Sequence, residues 1–119
     1  MNLIKKINEK SAKVGVIGLG YVGLPLAIEF INAGFDVVGI DVNDDKIKNI
    51  NEEKKYIKDV DDNLLKKAVS EGALKATKDF STVKQLDAIS ICVPTPLKKE
   101  KNPDISYIVS VMDEIKEFI

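Results

Sequence analysis

Apolar positions along the chain follow two alternating patterns. Short, nearly continuous apolar runs bounded by glycine or proline alternate with longer stretches whose apolar residues recur every three or four positions. The first pattern suits strands buried on both faces, the second amphipathic helices. Lys13-Val14-Gly15-Val16-Ile17-Gly18 is the first predicted strand. A helix follows over 22–33, with Leu24, Ala27, Ile28 and Ile31 at helical spacing. Pro25 falls in its first turn, where a missing N–H is tolerated, and Gly34 supplies its stop. Residues 36–41 form a second predicted strand, after which Asn43 caps a helix running to about residue 51. Another helix is predicted over 62–71, broken by Gly72, and Leu74–Thr77 is a short third strand. Residues 87–93 form an apolar fourth strand stopped by Pro94 and Pro96. Asp104 is placed to cap a last helix, whose apolar positions are Ile105, Ile108, Val109, Met112, Ile115 and Ile119. Residues 3–11 read as a short amphipathic helix, with Leu3, Ile4 and Ile7 on the side that packs onto the outside of the domain.

Strand and helix in strict alternation call for a parallel sheet with crossover connections. The expected fold is α/β, a half-Rossmann sheet of order 3-2-1-4 with helices on both faces. Residues 1–119 make one domain, of which 1–12 are an N-terminal helical extension. The chain stops on Phe118-Ile119 inside an apolar pattern, and the fourth strand reads as an interior strand with no later strand to pair with it. Both features lead us to expect a domain truncated at its C-terminus, a fragment of a longer enzyme. The alternative is a small natural single-domain protein.

Composition narrows the function. Basic and acidic residues number 18 and 19, so the net charge of -1 gives no reason to expect nucleic acid or an anionic membrane as a partner. Every basic residue is a lysine; arginine, the usual clamp for a ribose phosphate, is absent. The single cysteine, Cys92, excludes an internal disulfide, fits a reducing cytoplasm, and reads as a buried, inert thiol in the fourth strand. No apolar run reaches the roughly 18–20 residues of a membrane span.

The most informative motif is Gly18-Leu19-Gly20-Tyr21-Val22-Gly23. It follows a predicted strand and opens a predicted helix, the context in which glycines at this spacing hold a dinucleotide. Gly18 permits the turn, Gly20 lets a pyrophosphate approach backbone amides, and Gly23 lets the helix lie close to the sheet. Asp41, at the end of the second strand, stands where a carboxylate takes the adenosine ribose hydroxyls and repels a 2′-phosphate. Together with the missing arginines this favours NAD over NADP; Lys46 shares the Asp41 site. Val93-Pro94-Thr95-Pro96 forms a rigid loop at the end of the fourth strand, facing the cofactor or serving as a structural turn. The acid- and lysine-rich stretch 52–67 reads as a solvated surface without a site, and Lys98-Lys99-Glu100-Lys101 as an exposed loop.

The run from Lys13 to Ala27, with Tyr21-Val22 inside the glycine motif and Leu24-Pro25 after it, resembles the opening of the UDP-glucose/GDP-mannose dehydrogenase family. Ile91-Cys92-Val93-Pro94-Thr95-Pro96-Leu97 and Pro103-Asp104-Ile105-Ser106-Tyr107 resemble the same family, most of all its UDP-N-acetylhexosamine branch. The resemblance implies oxidation of a sugar's carbon-six alcohol to a carboxylate by two NAD in succession through a thiol-linked intermediate, within polysaccharide biosynthesis. It implies that Val22 lies beside the pyrophosphate, that Asp41 and Lys46 hold the adenosine ribose region, and that Thr95 contacts NAD nearer the nicotinamide; Tyr21 and Pro94 match the motif. It further implies a UDP-sugar as partner and a homo-oligomer at full length. The family's catalytic cysteine, lysine, asparagine and aspartate belong to motifs beyond residue 119, so no catalytic residue and no metal ligand is assigned here. The alternatives are another NAD-dependent dehydrogenase of the hydroxyacid type, or a non-enzymatic nucleotide-sensing Rossmann domain. Neither is expected to carry Val-Pro-Thr-Pro.

Overall fold

The computed structural model describes residues 2–58, 60–93 and 105–119. Its elements run α1 (Leu3–Asn8), β1 (Val14–Ile17), α2 (Gly23–Asn32), β2 (Val37–Ile40), α3 (Asp44–Asn51), α4 (Asp62–Ser70), β3 (Leu74–Thr77), a 3-10 helix (Phe80–Gln85), β4 (Ala88–Ile91) and α5 (Ser106–Ile115). The strands form one parallel sheet of order β3-β2-β1-β4, as the alternation predicted. β1 is central, pairing Val14 with Val37 on one side and with Ala88 on the other. The 3-10 helix carries no periodic signal and was not foreseen.

Side chains alternate across the sheet, as strand geometry requires. Val14, Val16 and Val37 join Leu24, Ala27 and Ile28 of α2 and Leu65 and Ala68 of α4 in the larger core. Ile17 and Ile40 point the other way, packing with Val83 of the 3-10 helix and Val111 and Ile115 of α5. Helices therefore cover both faces. Polar caps set the helix starts: the Asn43 side chain accepts from the Lys46 amide, and Asp61 accepts from the amides of Asn63 and Leu64. Gly34 and Gly72 follow the ends of α2 and α4 at φ +105 and +75, the left-handed conformation that stops a helix. Asp104, predicted to cap α5, lies outside the described residues; the N-cap position is held by Ile105, whose side chain makes no capping bond.

Three expectations need correction. The fourth strand is half-exposed rather than buried on both faces, because only β1 pairs with it among the described residues. Of the stretch 52–67, read as a solvated surface, Ile57, Val60 and Leu65 are buried in the larger core. The apolar side of α1 does not pack onto the domain: Leu3, Ile4 and Ile7 are exposed, Ile4 at 72%. What ties α1 down is polar. Lys6 Nζ donates to Asp87 Oδ1 at 2.8 Å, and Asp87 Oδ2 accepts from the Lys13 amide at 2.8 Å. The Lys13 amide, then Lys6, holds the Asp87 carboxyl below its ordinary value. Asp87→Asn should therefore quicken amide exchange across α1 by about tenfold while leaving β1 protected, measured by hydrogen–deuterium exchange. Unchanged exchange in α1 would show that Asp87 is not its tether.

Candidate functional site

The carboxyl ends of β1, β2 and β4 open onto a cleft of about 1130 Å3. It lies where the strand order turns back on itself, the position at which open parallel sheets bind ligands. Gly18, Gly20, Tyr21 and Val22 line one wall, Asp41 and Lys46 another, and Tyr107, Ser110 and Glu114 of α5 face them. Six of the residues singled out in the sequence thus meet in one place. Gly23 stands behind them, while Pro94 and Thr95 lie outside the described residues.

The three glycines of the motif do different work. Gly18 has φ +95, and a Cβ there would fall 2.6 Å from the Cys92 carbonyl oxygen. A Cβ on Gly23 would overlap the Gly18 carbonyl oxygen. Both are demanded by the fold. Among the described residues a Cβ on Gly20 would meet only Lys46 Nζ, at 3.9 Å, so they leave this position open.

Leu19, between the first two glycines, is held from three directions. Its side chain is fully buried and packs over Gly39, where a Cβ would come within 2.8 Å of it. Its amide donates to Asp41 Oδ2 at 2.8 Å, and its carbonyl accepts from the Tyr56 hydroxyl at 2.5 Å. Asp41 Oδ1 accepts from the Asn43 amide at 2.9 Å. Each carboxylate oxygen keeps a further lone pair for a ligand. Lys46 Nζ stands 3.8 Å from Asp41 Oδ2 and is the sole cation among the described lining residues. Beyond the loop, α2 begins at Gly23 with Val22 in the N-cap position and no side-chain cap. The Leu24 amide donates to the Gly20 carbonyl at 3.2 Å and Pro25 has no N–H, so what this helix start offers the cleft is chiefly the positive end of its dipole. Tyr21 and Val22 beside it are exposed, Tyr21 at 82%.

Cys92 requires a correction. It follows β4 rather than lying within it, is half-buried, and lines the cleft, with its sulfur 3.6 Å from the Ser90 hydroxyl. Tyr56, Phe80 and the cleft-facing side of α5 escaped the sequence reading. The one available signal for Tyr56 was an apolar pair, Tyr56-Ile57, inside an otherwise charged stretch.

The model of the UDP-glucose/GDP-mannose dehydrogenase family, NAD binding domain, matches residues 12–119. The chain belongs to this family. UDP-N-acetyl-D-mannosamine dehydrogenase of Pyrococcus horikoshii is 40% identical over 106 residues, covering 88% of this chain and 25% of that protein. Among solved structures, GDP-mannose dehydrogenase from Pseudomonas aeruginosa superposes with a TM-score of 0.80 at 39% identity, over 86% of this chain and 24% of the other. UDP-glucose dehydrogenase from Pyrobaculum islandicum superposes at 0.82 with 30% identity, over 87% and 24%. The chain spans about a quarter of the length of these relatives. Its cofactor is the NAD of the family's NAD-binding domain. The cleft suits that group: the positive end of α2, a Gly20 that the described residues leave uncrowded and a carboxylate at the end of β2 match a pyrophosphate flanked by a ribose.

Two outcomes follow from this geometry. Gly23→Ala should destabilise the fold by about 3 kcal/mol or more through overlap with backbone, whereas Gly20→Ala should shift stability by less than about 1 kcal/mol and weaken NAD binding. Paired urea melts and calorimetric titrations check this; equal stability losses would refute the division of roles. Burial first, and Asp41 second, raise the Tyr56 phenol above its ordinary value of 10.0. The folded chain thus favours the neutral phenol, so its stabilisation is complete below pH 10.0 and declines above it. Alkaline melts of Tyr56→Phe should lack that part of the decline seen with the unaltered chain.

Proposed function

We propose that this chain is the NAD-holding part of a nucleotide-sugar dehydrogenase that oxidises the carbon-six alcohol of a UDP-sugar, UDP-N-acetylglucosamine or UDP-N-acetylmannosamine with UDP-glucose as the alternative, to the uronate with two NAD in succession. The observation that carries the reading is Gly20, which no described residue but Lys46 approaches, set between a helix start without a side-chain cap and Asp41. The names of the relatives, UDP-N-acetyl-D-mannosamine dehydrogenase among them, support the substrate class. We assign residues 1–12 as an N-terminal extension, which agrees with a family match that begins at residue 12. A cytoplasmic setting and a homo-oligomeric full-length enzyme complete the proposal.

Each residue has a role. The backbone of Gly20, Tyr21 and Val22 receives the pyrophosphate, with Gly18 and Gly23 shaping the turn that presents it. Asp41 accepts the adenosine ribose hydroxyls through its spare lone pairs, and Lys46 closes over the same region. By the family resemblance Thr95 is assigned to NAD nearer the nicotinamide end, and Pro94 belongs to the same motif. NAD, when bound, supplies the hydride acceptor. This chain holds that acceptor, and the sugar chemistry falls to residues it does not contain.

Discrimination against NADP rests on charge. A 2′-phosphate would be forced against the Asp41 carboxylate, with Lys46 already paired to it and no arginine anywhere in the chain. Calorimetry should find NAD bound at least about tenfold more tightly than NADP, and Asp41→Asn should narrow the gap. Tighter binding of NADP by the unaltered chain would overturn the reading. Incubation with NAD and either UDP-sugar should yield no NADH.

A further inference from the structure

Tyr56 stands in a charged stretch that carries no motif, yet its hydroxyl reaches the Leu19 carbonyl inside the glycine loop. We propose that Tyr56 is a positioning residue for pyrophosphate recognition: its hydrogen bond locks the Leu19–Gly20 peptide in the one orientation that offers an N–H, rather than a carbonyl oxygen, to an anion. This rests on the NAD reading above.

The physical case begins with the peptide itself. A trans peptide is planar, so its N–H and C=O point in opposite directions. With the Leu19 carbonyl drawn to Tyr56, the Gly20 N–H is turned away from the phenol. Asp41 fixes only the preceding peptide, through the Leu19 amide. The Leu19–Gly20 peptide is therefore held by Tyr56, and among the described residues no other donor meets that carbonyl. Such a lock is needed because Gly20 has no Cβ and no described residue comes near a Cβ position there except Lys46 Nζ. Glycine occupies positive φ as readily as negative, so the peptide before it flips with little steric resistance. A flip would place a carbonyl oxygen where the phosphate needs a donor. The same openness that admits the ligand thus creates the hazard that Tyr56 removes. The bond is short and partly buried, where it is stronger than in water, and the raised phenol keeps its proton through the physiological range.

The test compares ligands with and without the pyrophosphate. In Tyr56→Phe, affinity for NAD and for ADP-ribose should fall about fivefold to tenfold, while affinity for adenosine, followed by ligand-observed NMR, should stay within twofold on the same estimate. A structural role alone would weaken all three together. Should the phenylalanine variant fail to fold, fluorotyrosines of lowered phenol pKa at position 56 keep the shape and lose the proton at accessible pH. NAD affinity should then fall as pH rises through that pKa, and adenosine affinity should not. Equal losses for all ligands, or no loss for NAD, overturn the inference while leaving the NAD reading intact. An unaltered chain that binds neither NAD nor ADP-ribose overturns both.

Discussion

The site depends on one constraint, the immobilisation of Leu19 at the end of the central strand. β1 lies between β2 and β4, and the Gly18 amide continues its pairing by donating to the Ile40 carbonyl at 2.8 Å. Leu19 then sinks its side chain over Gly39 and commits its amide to Asp41 and its carbonyl to Tyr56. A loop that must present amides to an anion is useful only if those amides are aimed before the anion arrives. Here the aiming is done by a buried leucine and two polar groups brought from elsewhere in the chain.

This arrangement gives Asp41 two duties. Its carboxylate is nearly buried and ties the glycine loop to β2, which makes it part of the fold. It also borders the cleft, which makes it part of the proposed ribose site. Substitutions at Asp41 therefore mix stability with recognition, whereas Gly20 and Gly23 separate them. Backbone crowds Gly23, while among the described residues only Lys46 comes near Gly20, although the two are indistinguishable as letters in a motif.

The two faces of the sheet are finished to different degrees. The face under α2 and α4 is densely packed around Leu24, Leu65 and Leu74. The face under α5 leaves Ile105, Val109 and Met112 exposed beside the half-exposed β4. Much of this architecture was legible in advance. Apolar runs of the right length, with Asn43, Gly34 and Gly72 at their borders, specify the elements and the alternation that makes the sheet parallel. α1 was misjudged because an apolar side seen in sequence says nothing about whether a partner surface stands opposite it. Lys6 and Asp87, far apart in sequence, hold it instead.

Local pattern by itself determined the strands, most helix borders, the glycine turn and the acid at the end of β2. Each of these depends on neighbours within a few residues, where propensity and spacing act directly. The family resemblance, carried by Tyr21-Val22, Leu24-Pro25 and the Val-Pro-Thr-Pro loop, was also readable from the chain alone. Only the tertiary structure decided which glycine the described residues leave uncrowded, that Cys92 borders the cleft, and that Tyr56 grips the Leu19 carbonyl. Those facts arise from contacts between segments distant in sequence. Tyr56 lies 37 residues from Leu19, and no periodicity or spacing rule spans that gap. The chain's letters say that a dinucleotide can be held; the packing of remote segments says what keeps the loop ready to hold it.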